Sequence, residues 1–147
     1  MREPTITKQV QDDTAYFTVC WSRLKKADKY DIVRSVPSVG GVYELYYMDE
    51  KKKLNLAFFA HAWYGGLRST LRKLVDAELA VDAKMREILE NHEMYYRYSC
   101  TDSNQDMLDV IFFFDSVCFP GRRRNEDSGR YAVIYVNEIS AEKLITI

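Results

Sequence analysis

Basic side chains suited to binding phosphate occur in three groups along the chain. They are Lys51–Lys53, the trio Arg68, Arg72 and Lys73, and the run Arg122, Arg123 and Arg124. Arginine favours bidentate contacts with phosphate oxygens, and Arg68 and Arg72 are one helical turn apart. We therefore predict that the Arg68/Arg72/Lys73 helix face and the Arg122–Arg124 loop form one cationic surface, which binds a phosphate-bearing ligand or an acidic partner.

The residues around this helix leave two interpretations of its arginines open. Gly65-Gly66 precedes the helix, and free backbone N–H groups at a helix start favour a bound anion. Alternatively, Arg72 pairs with Asp76 four residues later, an exposed ion pair worth roughly a few tenths of a kcal/mol. The first interpretation predicts a ligand site, and the second an ordinary solvated helix face.

His61 is a candidate ligand-binding or acid–base side chain in the segment Phe58–Trp63. It alternates with Phe59 and Trp63, a pattern that favours a buried, hydrogen-bonded histidine over a catalytic base. The chain has only two histidines and three cysteines, without an H-x-x-x-H or C-x-x-C spacing. We therefore predict no metal site and no resident cofactor.

Charge and hydropathy narrow the classes of partner. The net charge of -1 gives no overall attraction to a polyanion, so nucleic-acid binding requires a local basic patch. No apolar run reaches the length of a membrane span, and the first residues lack the apolar stretch of a secretory signal. An odd number of unpaired cysteines is typical of reduced thiols. We predict a cytoplasmic protein without membrane contact.

The elements that position these residues follow from hydrophobic periodicity and from turn residues. Apolar and aromatic residues predict strands at 16–21, 41–48, 54–64, 94–100 and 131–139. Helical spacing and capping residues predict a short helix before Val36-Pro37, a helix with inward positions 67, 71, 74, 75 and 79, and helices at 80–92 and 103–117. The charged segment 49–53 predicts a hairpin between strands 41–48 and 54–64.

This order of elements predicts an α+β fold in a single domain, residues 1–147. We expect a small central antiparallel sheet flanked by helices. Helix 103–117 is apolar nearly all round and should be the most buried helix. Residues 1–13 are polar and predict a flexible arm or a short edge element.

Two of these segments resemble the signature of the GIY-YIG nuclease superfamily. They are Val36-Pro-Ser-Val-Gly-Gly-Val-Tyr43 and Tyr64-Gly65-Gly66 with its arginine-bearing helix, and the similarity covers residues 36–125. The resemblance implies that Tyr43 and Tyr64 lie in neighbouring strands and face a scissile phosphate. It also implies that the second and third basic groups lie near the mouth of that site.

The chain departs from the family pattern at two catalytic positions. The resemblance implies an arginine at position 74 and a metal-binding glutamate at position 111, where this chain has Leu74 and Ile111. Arg72 and Asp109 each lie two positions away, which turns them by roughly 200° around a helix. We predict that Leu74 and Ile111 are core residues and that no metal binds between them.

Three functions are compatible with this pattern. The first is a catalytically silent GIY-YIG-like domain that binds nucleic acid, a nucleotide or another phosphate ligand. The second is an active endonuclease that uses Tyr43, Tyr64 and Arg72, with Asp109 in a rearranged Mg²⁺ site. The third is a protein-interaction or inhibitor module, compatible with a homodimer, that pairs through the edge of strand 131–138.

Overall fold

The chain has an α+β fold, as the sequence predicts. A computed structural model describes residues 3–80, 82–118 and 126–140. The described strands are β1 (Ile6–Gln11), β2 (Thr14–Trp21), β3 (Lys25–Lys26), β4 (Gly41–Met48), β5 (Leu54–Ala62), β6 (Met94–Cys100) and β7 (Val133–Ser140). The described helices are α1 (Lys29–Ser35), α2 (Gly66–Leu74), α3 (Ala83–Asn91) and α4 (Asn104–Val117), with a 3-10 turn at Ala77–Leu79.

The contacts between residues divide the chain into two compact units. Unit 1 contains Met1–Arg23 and Ser99–Ile147, and unit 2 contains Leu24–Tyr98. The predicted Arg122–Arg124 loop and Pro120 lie outside the described residues. None of the helices in the described part of the chain combines the length and the apolar character needed to cross a bilayer.

Unit 1 contains a three-stranded sheet in the order β1-β2-β7. β1 pairs with β2 in antiparallel fashion, whereas β7 lies parallel to β2 on the other side. The described strands therefore lie in two sheets, and the sequence did not predict the parallel pairing of β7 with β2. Ile6–Gln11 is an edge strand and not a flexible arm. Its backbone pairs with β2 along its whole length.

The core of unit 1 includes buried residues of β2 and of α4, and α4 contacts β7. Ala15, Phe17 and Val19 share the inner face of β2 and are fully or almost fully buried. Ser103 caps α4 by accepting a hydrogen bond from the Asp106 N–H group, at 3.1 Å. α4 contains the most buried positions of the described helices, as predicted, and Ile111 is among them.

Two of the residues buried on α4 are aspartates, which the apolar count of that helix does not suggest. Asp109 is 0% exposed, and its carboxylate accepts hydrogen bonds from the Ser128 N–H group at 2.7 Å and the Ser128 hydroxyl at 2.9 Å. The Arg130 guanidinium donates to the same carboxylate at 2.8 Å. This pairing satisfies a charge that would otherwise be costly to bury.

The ion pairs continue from Arg130 to β1. Arg130 also donates to Asp106 at 2.8 Å, and the Lys8 ammonium of β1 donates to Asp106 at 2.9 Å. Burial raises the pKa of the Asp106 carboxyl, but hydrogen bonds from Lys8 and Arg130 outweigh burial and hold that pKa below its usual value. One network of charges thus joins the edge strand, α4 and the segment before β7.

Unit 2 contains a four-stranded sheet in the order β3-β6-β4-β5. β4 and β5 form the predicted antiparallel hairpin, closed by the turn at residues 49–53. The register shifts between Leu45 and Tyr46, which pair with Phe58 and Leu56 and leave Ala57 as an extra residue in β5. Because of this bulge, Leu56 and Phe58 lie on opposite faces of the sheet despite their alternate spacing.

The helices of unit 2 are shorter than their apolar stripes predict. α2 ends at Leu74, which is half-buried, so the prediction that Leu74 is a core residue is wrong. Leu79 lies in the 3-10 turn and is exposed. Asp76 caps that turn by accepting from the Glu78 N–H group at 3.0 Å, which ends the helical hydrogen bonding early. α3 begins at Ala83, three residues later than predicted.

We expect Asp109→Ala to lower the free energy of unfolding by about 3–5 kcal/mol, because Arg130 and the Ser128 N–H group lose a buried partner. Urea unfolding followed by circular dichroism measures this. The control is Asp127→Ala, which removes one hydrogen bond to the Gly129 N–H group and should cost about 1 kcal/mol or less. Equal losses in the two variants would contradict a special role for the buried pair.

Candidate functional site

The two segments that resemble the nuclease signature contact each other through backbone groups. The Leu67 N–H group donates to the Val39 carbonyl at 2.8 Å, and the Arg68 N–H group donates to the Pro37 carbonyl at 3.2 Å. These amides belong to the first turn of α2, where a helix has no internal partners for them. The predicted anion site at Gly65-Gly66 is therefore occupied, in part, by carbonyl groups of this same chain.

The Arg68 side chain contributes to the same contact. Its Nε donates to the Val36 carbonyl at 2.6 Å, and the residue is half-buried. Val36 is fully buried, so Arg68 satisfies a carbonyl that has little access to water. Arg68 thus holds the segment 36–39 onto α2.

Gly66 permits the close approach of these two segments. Its φ is +75°, in the left-handed region, and a Cβ atom at this position would lie 2.8 Å from the carbonyl carbon of Ser38. The neighbouring Gly65 has a similar φ of +78°, but a Cβ there would meet only Ser69 atoms at 3.6 Å. Gly66 is therefore needed for both the left-handed backbone conformation and the close packing, whereas Gly65 is needed for the backbone conformation alone.

The two motif tyrosines occupy different environments. Tyr43 is buried in β4 and stacks on Phe58, with ring centroids 6.4 Å apart. Burial raises the pKa of Tyr43 to about 12, so its phenol keeps its proton at neutral pH. Tyr64 lies after the end of β5 and is 94% exposed. The catalytic role of the two tyrosines stays a prediction.

The structure instead places Arg72 beside α1. An open groove of about 620 Å³ lies between α1 and α2, and its described lining consists of Lys29, Tyr30, Val33, Arg34 and Arg72. Four of these residues occupy one side of α1, at positions i, i+1, i+4 and i+5. Three of the five lining residues are cations, and no acidic side chain is among the described lining residues. We call this feature the α1–α2 groove.

The cations of the α1–α2 groove are not neutralised by their neighbours. Within the described residues, Lys29, Arg34 and Arg72 form no ion pair, although Lys29 Nζ lies 5.5 Å from the centre of the Tyr30 ring. The nearest acids on α1 are engaged elsewhere. Asp28 accepts from the Tyr30 N–H group at 2.8 Å, and Asp31 pairs with Lys25 at 2.9 Å. The groove therefore offers positive charge to an external anion.

The predicted pair between Arg72 and Asp76 does not form, because the Asp76 carboxylate caps the 3-10 turn. Arg72 is exposed, so its guanidinium can reach a ligand in the groove. Lys73 is also exposed but does not line the groove. Of the predicted cationic residues Arg68, Arg72 and Lys73, Arg72 belongs to the described lining of this groove, together with Lys29 and Arg34.

His61 is exposed near the end of β5, so the prediction of a buried histidine is wrong. His61 lies opposite Val42 and shares a strand face with the buried Phe59, so alternation along β5 does not by itself decide the exposure of His61. A ligand-binding role for His61, Arg68 and Lys73 stays a prediction. A ligand-binding role for Arg122, Arg123 and Arg124 also stays a prediction, since these residues lie outside the described part of the chain.

Sequence reasoning missed Lys29, Tyr30 and Arg34. The available signal was the spacing of Lys29, Tyr30, Val33 and Arg34, which puts two cations and an aromatic ring on one helical face. A seven-residue helix gives a short periodic pattern, and Lys29 and Arg34 alternate in sequence with acidic residues. Only the packing of α1 against α2 identifies which cations meet.

A second open groove in unit 2 has the opposite charge. It has a volume of about 870 Å³ and lies between the hairpin turn and the end of α3. Its described lining includes four acids, Asp49, Glu50, Glu87 and Glu93. The carboxylates of Asp49 and Glu93 already accept hydrogen bonds from their own neighbours. An anionic ligand therefore has a clear electrostatic preference for the α1–α2 groove.

Asp109, proposed from the sequence as a rearranged metal ligand, has both carboxylate oxygens engaged by Ser128 and Arg130. In residues 3–80, 82–118 and 126–140, no group of three His, Cys, Asp or Glu side chains has an arrangement suited to a metal ion. Nothing in these contacts favours the endonuclease alternative.

Comparison with known proteins shows similarity to a family model. A family model described as "Uncharacterised protein" matches residues 5–146, which is nearly the whole chain. No curated protein and no solved structure matches the chain. The resemblance to the GIY-YIG superfamily stays a prediction after these comparisons.

We expect Gly66→Ala to destabilise the chain more than Gly65→Ala. Both substitutions place a side chain at a left-handed φ, which costs about 1–2 kcal/mol. Gly66→Ala also forces the Ser38 backbone away, which adds about 1–3 kcal/mol. Urea unfolding of the two variants measures the difference. If both lose the same free energy, the close approach of segment 36–39 to α2 does not constrain unit 2.

Proposed function

The chain belongs to the family of uncharacterised proteins whose model matches residues 5–146, and we propose that it binds nucleic acid without cleaving it. The ligand's phosphates bind in the α1–α2 groove. The observation that carries this proposal is the group of three cations, Lys29, Arg34 and Arg72, which lack acidic partners among the described residues and line one groove. Two arginines provide the planar, bidentate donors that suit phosphate oxygens.

The size of the groove supports a ligand of nucleotide dimensions. Its volume of about 620 Å³ falls within the range of roughly 300–1,000 Å³ that small-ligand sites occupy. Asp31 of α1 pairs with Lys25, and the single carboxylate of Asp28, which caps α1, does not balance three cations, so the local field stays positive. A chain with a net charge of -1 can therefore attract a polyanion at this one place.

We propose binding without cleavage because of what phosphodiester hydrolysis requires. Phosphodiester hydrolysis requires charge stabilisation near the scissile phosphate and a group that activates water. The buried Tyr43 keeps its proton at neutral pH, and Asp109 is engaged by Ser128 and Arg130. The three cations of the α1–α2 groove bind phosphate but provide no base.

The expected result of a binding experiment is an affinity that falls with salt. Fluorescence anisotropy with labelled DNA and RNA oligonucleotides, between about 50 and 200 mM salt, measures the slope. We expect Arg34→Ala/Arg72→Ala to bind roughly tenfold or more weakly and to show a smaller slope, because two charge-assisted contacts are lost.

The matched control is Lys51→Ala/Lys53→Ala, which removes the same number of positive charges from exposed positions outside the α1–α2 groove. It should retain most of the wild-type affinity. If both double variants weaken binding equally, only the net charge matters and the groove is not the site. If the wild type shows no salt-dependent binding, the proposed function is wrong.

A second candidate function is self-association through β7. Among the described strands of unit 1, β7 lies at one edge of the sheet, and Val133 and Tyr135 are exposed on one of its faces. Its single charged residue, Glu138, accepts a hydrogen bond from Trp21 Nε1 at 2.8 Å. Two copies can therefore pair their β7 strands in antiparallel fashion with no like charges placed opposite each other.

We expect Val133→Lys/Tyr135→Lys to abolish such a dimer, because lysines on an edge strand oppose pairing. Light scattering across a concentration series measures the mass. The control is Gln9→Lys/Gln11→Lys, which changes the register-matched positions on the opposite edge strand β1 and should leave the dimer intact. A wild-type protein that stays monomeric at every concentration would contradict this candidate.

A further inference from the structure

The α1–α2 groove contains an apolar part that phosphate binding alone does not use. Tyr30 is 70% exposed and Val33 is 42% exposed, and both line the groove beside the cations. Tyr30 and Arg34 are four residues apart on α1, as are Lys29 and Val33. An aromatic ring and an aliphatic side chain thus lie within a helical turn of two cations.

The Tyr30 ring has one charged neighbour that links stacking to phosphate binding. Lys29 Nζ lies 5.5 Å from the ring centre, within the distance of a cation–π contact. A base that stacks on this ring therefore places its own phosphate close to an ammonium group. Arg34 and Arg72 extend the positive charge along the groove toward the next phosphate.

We propose that the α1–α2 groove binds an unpaired nucleotide segment of a single-stranded nucleic acid, with one base stacked on Tyr30 and packed against Val33. The flanking phosphates contact Lys29, Arg34 and Arg72. This inference rests on the proposed function and specifies the ligand that the same site selects. The base is held by its flat face, so the site discriminates single strands from duplexes but not one base from another.

A duplex does not satisfy this arrangement of side chains. Its bases are stacked on each other and their faces are not accessible, so a duplex leaves Tyr30 and Val33 in water. A ligand that consists only of linked phosphates likewise contacts only the three cations of the groove. The apolar part of the α1–α2 groove is therefore the feature that separates single-stranded nucleic acid from other polyanions.

The test compares three labelled probes of equal length: a single-stranded oligonucleotide, the same strand as a duplex, and an abasic strand that keeps the sugars and phosphates. The wild type should bind the single strand tightest, with a salt slope of about -2 from three phosphate contacts at about 0.7 each. Tyr30→Ala should weaken single-strand binding by roughly 5- to 150-fold and leave abasic-strand binding unchanged. Tyr30→Phe should retain the affinity, since a phenyl ring also stacks.

The matched control is Tyr64→Ala, which removes a tyrosine that is even more exposed but does not line the groove. It should bind the single strand as the wild type does. Thermal unfolding tests whether Tyr30→Ala folds, which we expect because the side chain is 70% exposed.

The outcomes separate this inference from the proposed function. If the duplex and the abasic strand bind as tightly as the single strand, or if Tyr30→Ala binds all probes like the wild type, base stacking is overturned while phosphate binding stands. An equal loss on the single strand and the abasic strand also overturns it, because the ring then acts without a base. If no probe shows salt-dependent binding, both proposals fall.

Discussion

The first turn of α2 donates hydrogen bonds to the carbonyls of Pro37 and Val39, and the candidate site in unit 2 depends on this contact. Segment 36–39 directly follows α1, so fixing this segment to the start of α2 also fixes α1 beside α2. Arg72 then lies across the groove from Arg34 and contributes to one cluster of positive charge. Gly66 and Arg68 maintain the contact, because the two segments approach too closely for a side chain at position 66.

The motif that resembles a nuclease signature thus has a physical role apart from catalysis. Its glycines and Arg68 join two segments of backbone, and Tyr43 packs against Phe58 within the sheet. Such residues are needed for folding whether or not a phosphodiester is cut. A signature of this kind therefore carries information about packing first, and its use as evidence for catalysis needs a free carboxylate or base at the same place.

The charged clusters of the two units differ in whether their charges are paired within the chain. In unit 1, Asp109, Arg130 and Asp106 satisfy each other around a buried carboxylate, so the cluster stabilises the fold and offers nothing to a ligand. In unit 2, the cations of the α1–α2 groove face solvent and their neighbouring acids have other partners. The difference between a structural cluster and a binding site is thus whether the counter-charge lies inside the chain.

The sequence alone determined the α+β class, the hairpin of β4 and β5, the capped helix α4 and the bounds of β6, because these features follow from local periodicity, turn residues and caps. It also indicated Arg72 as an exposed basic residue. Only the tertiary structure decided that Arg68 faces a backbone carbonyl, that Asp109 is paired and that Arg72 meets α1. The reason is physical. Periodicity assigns a residue to a face of its own element, whereas its partner is set by which other element packs there.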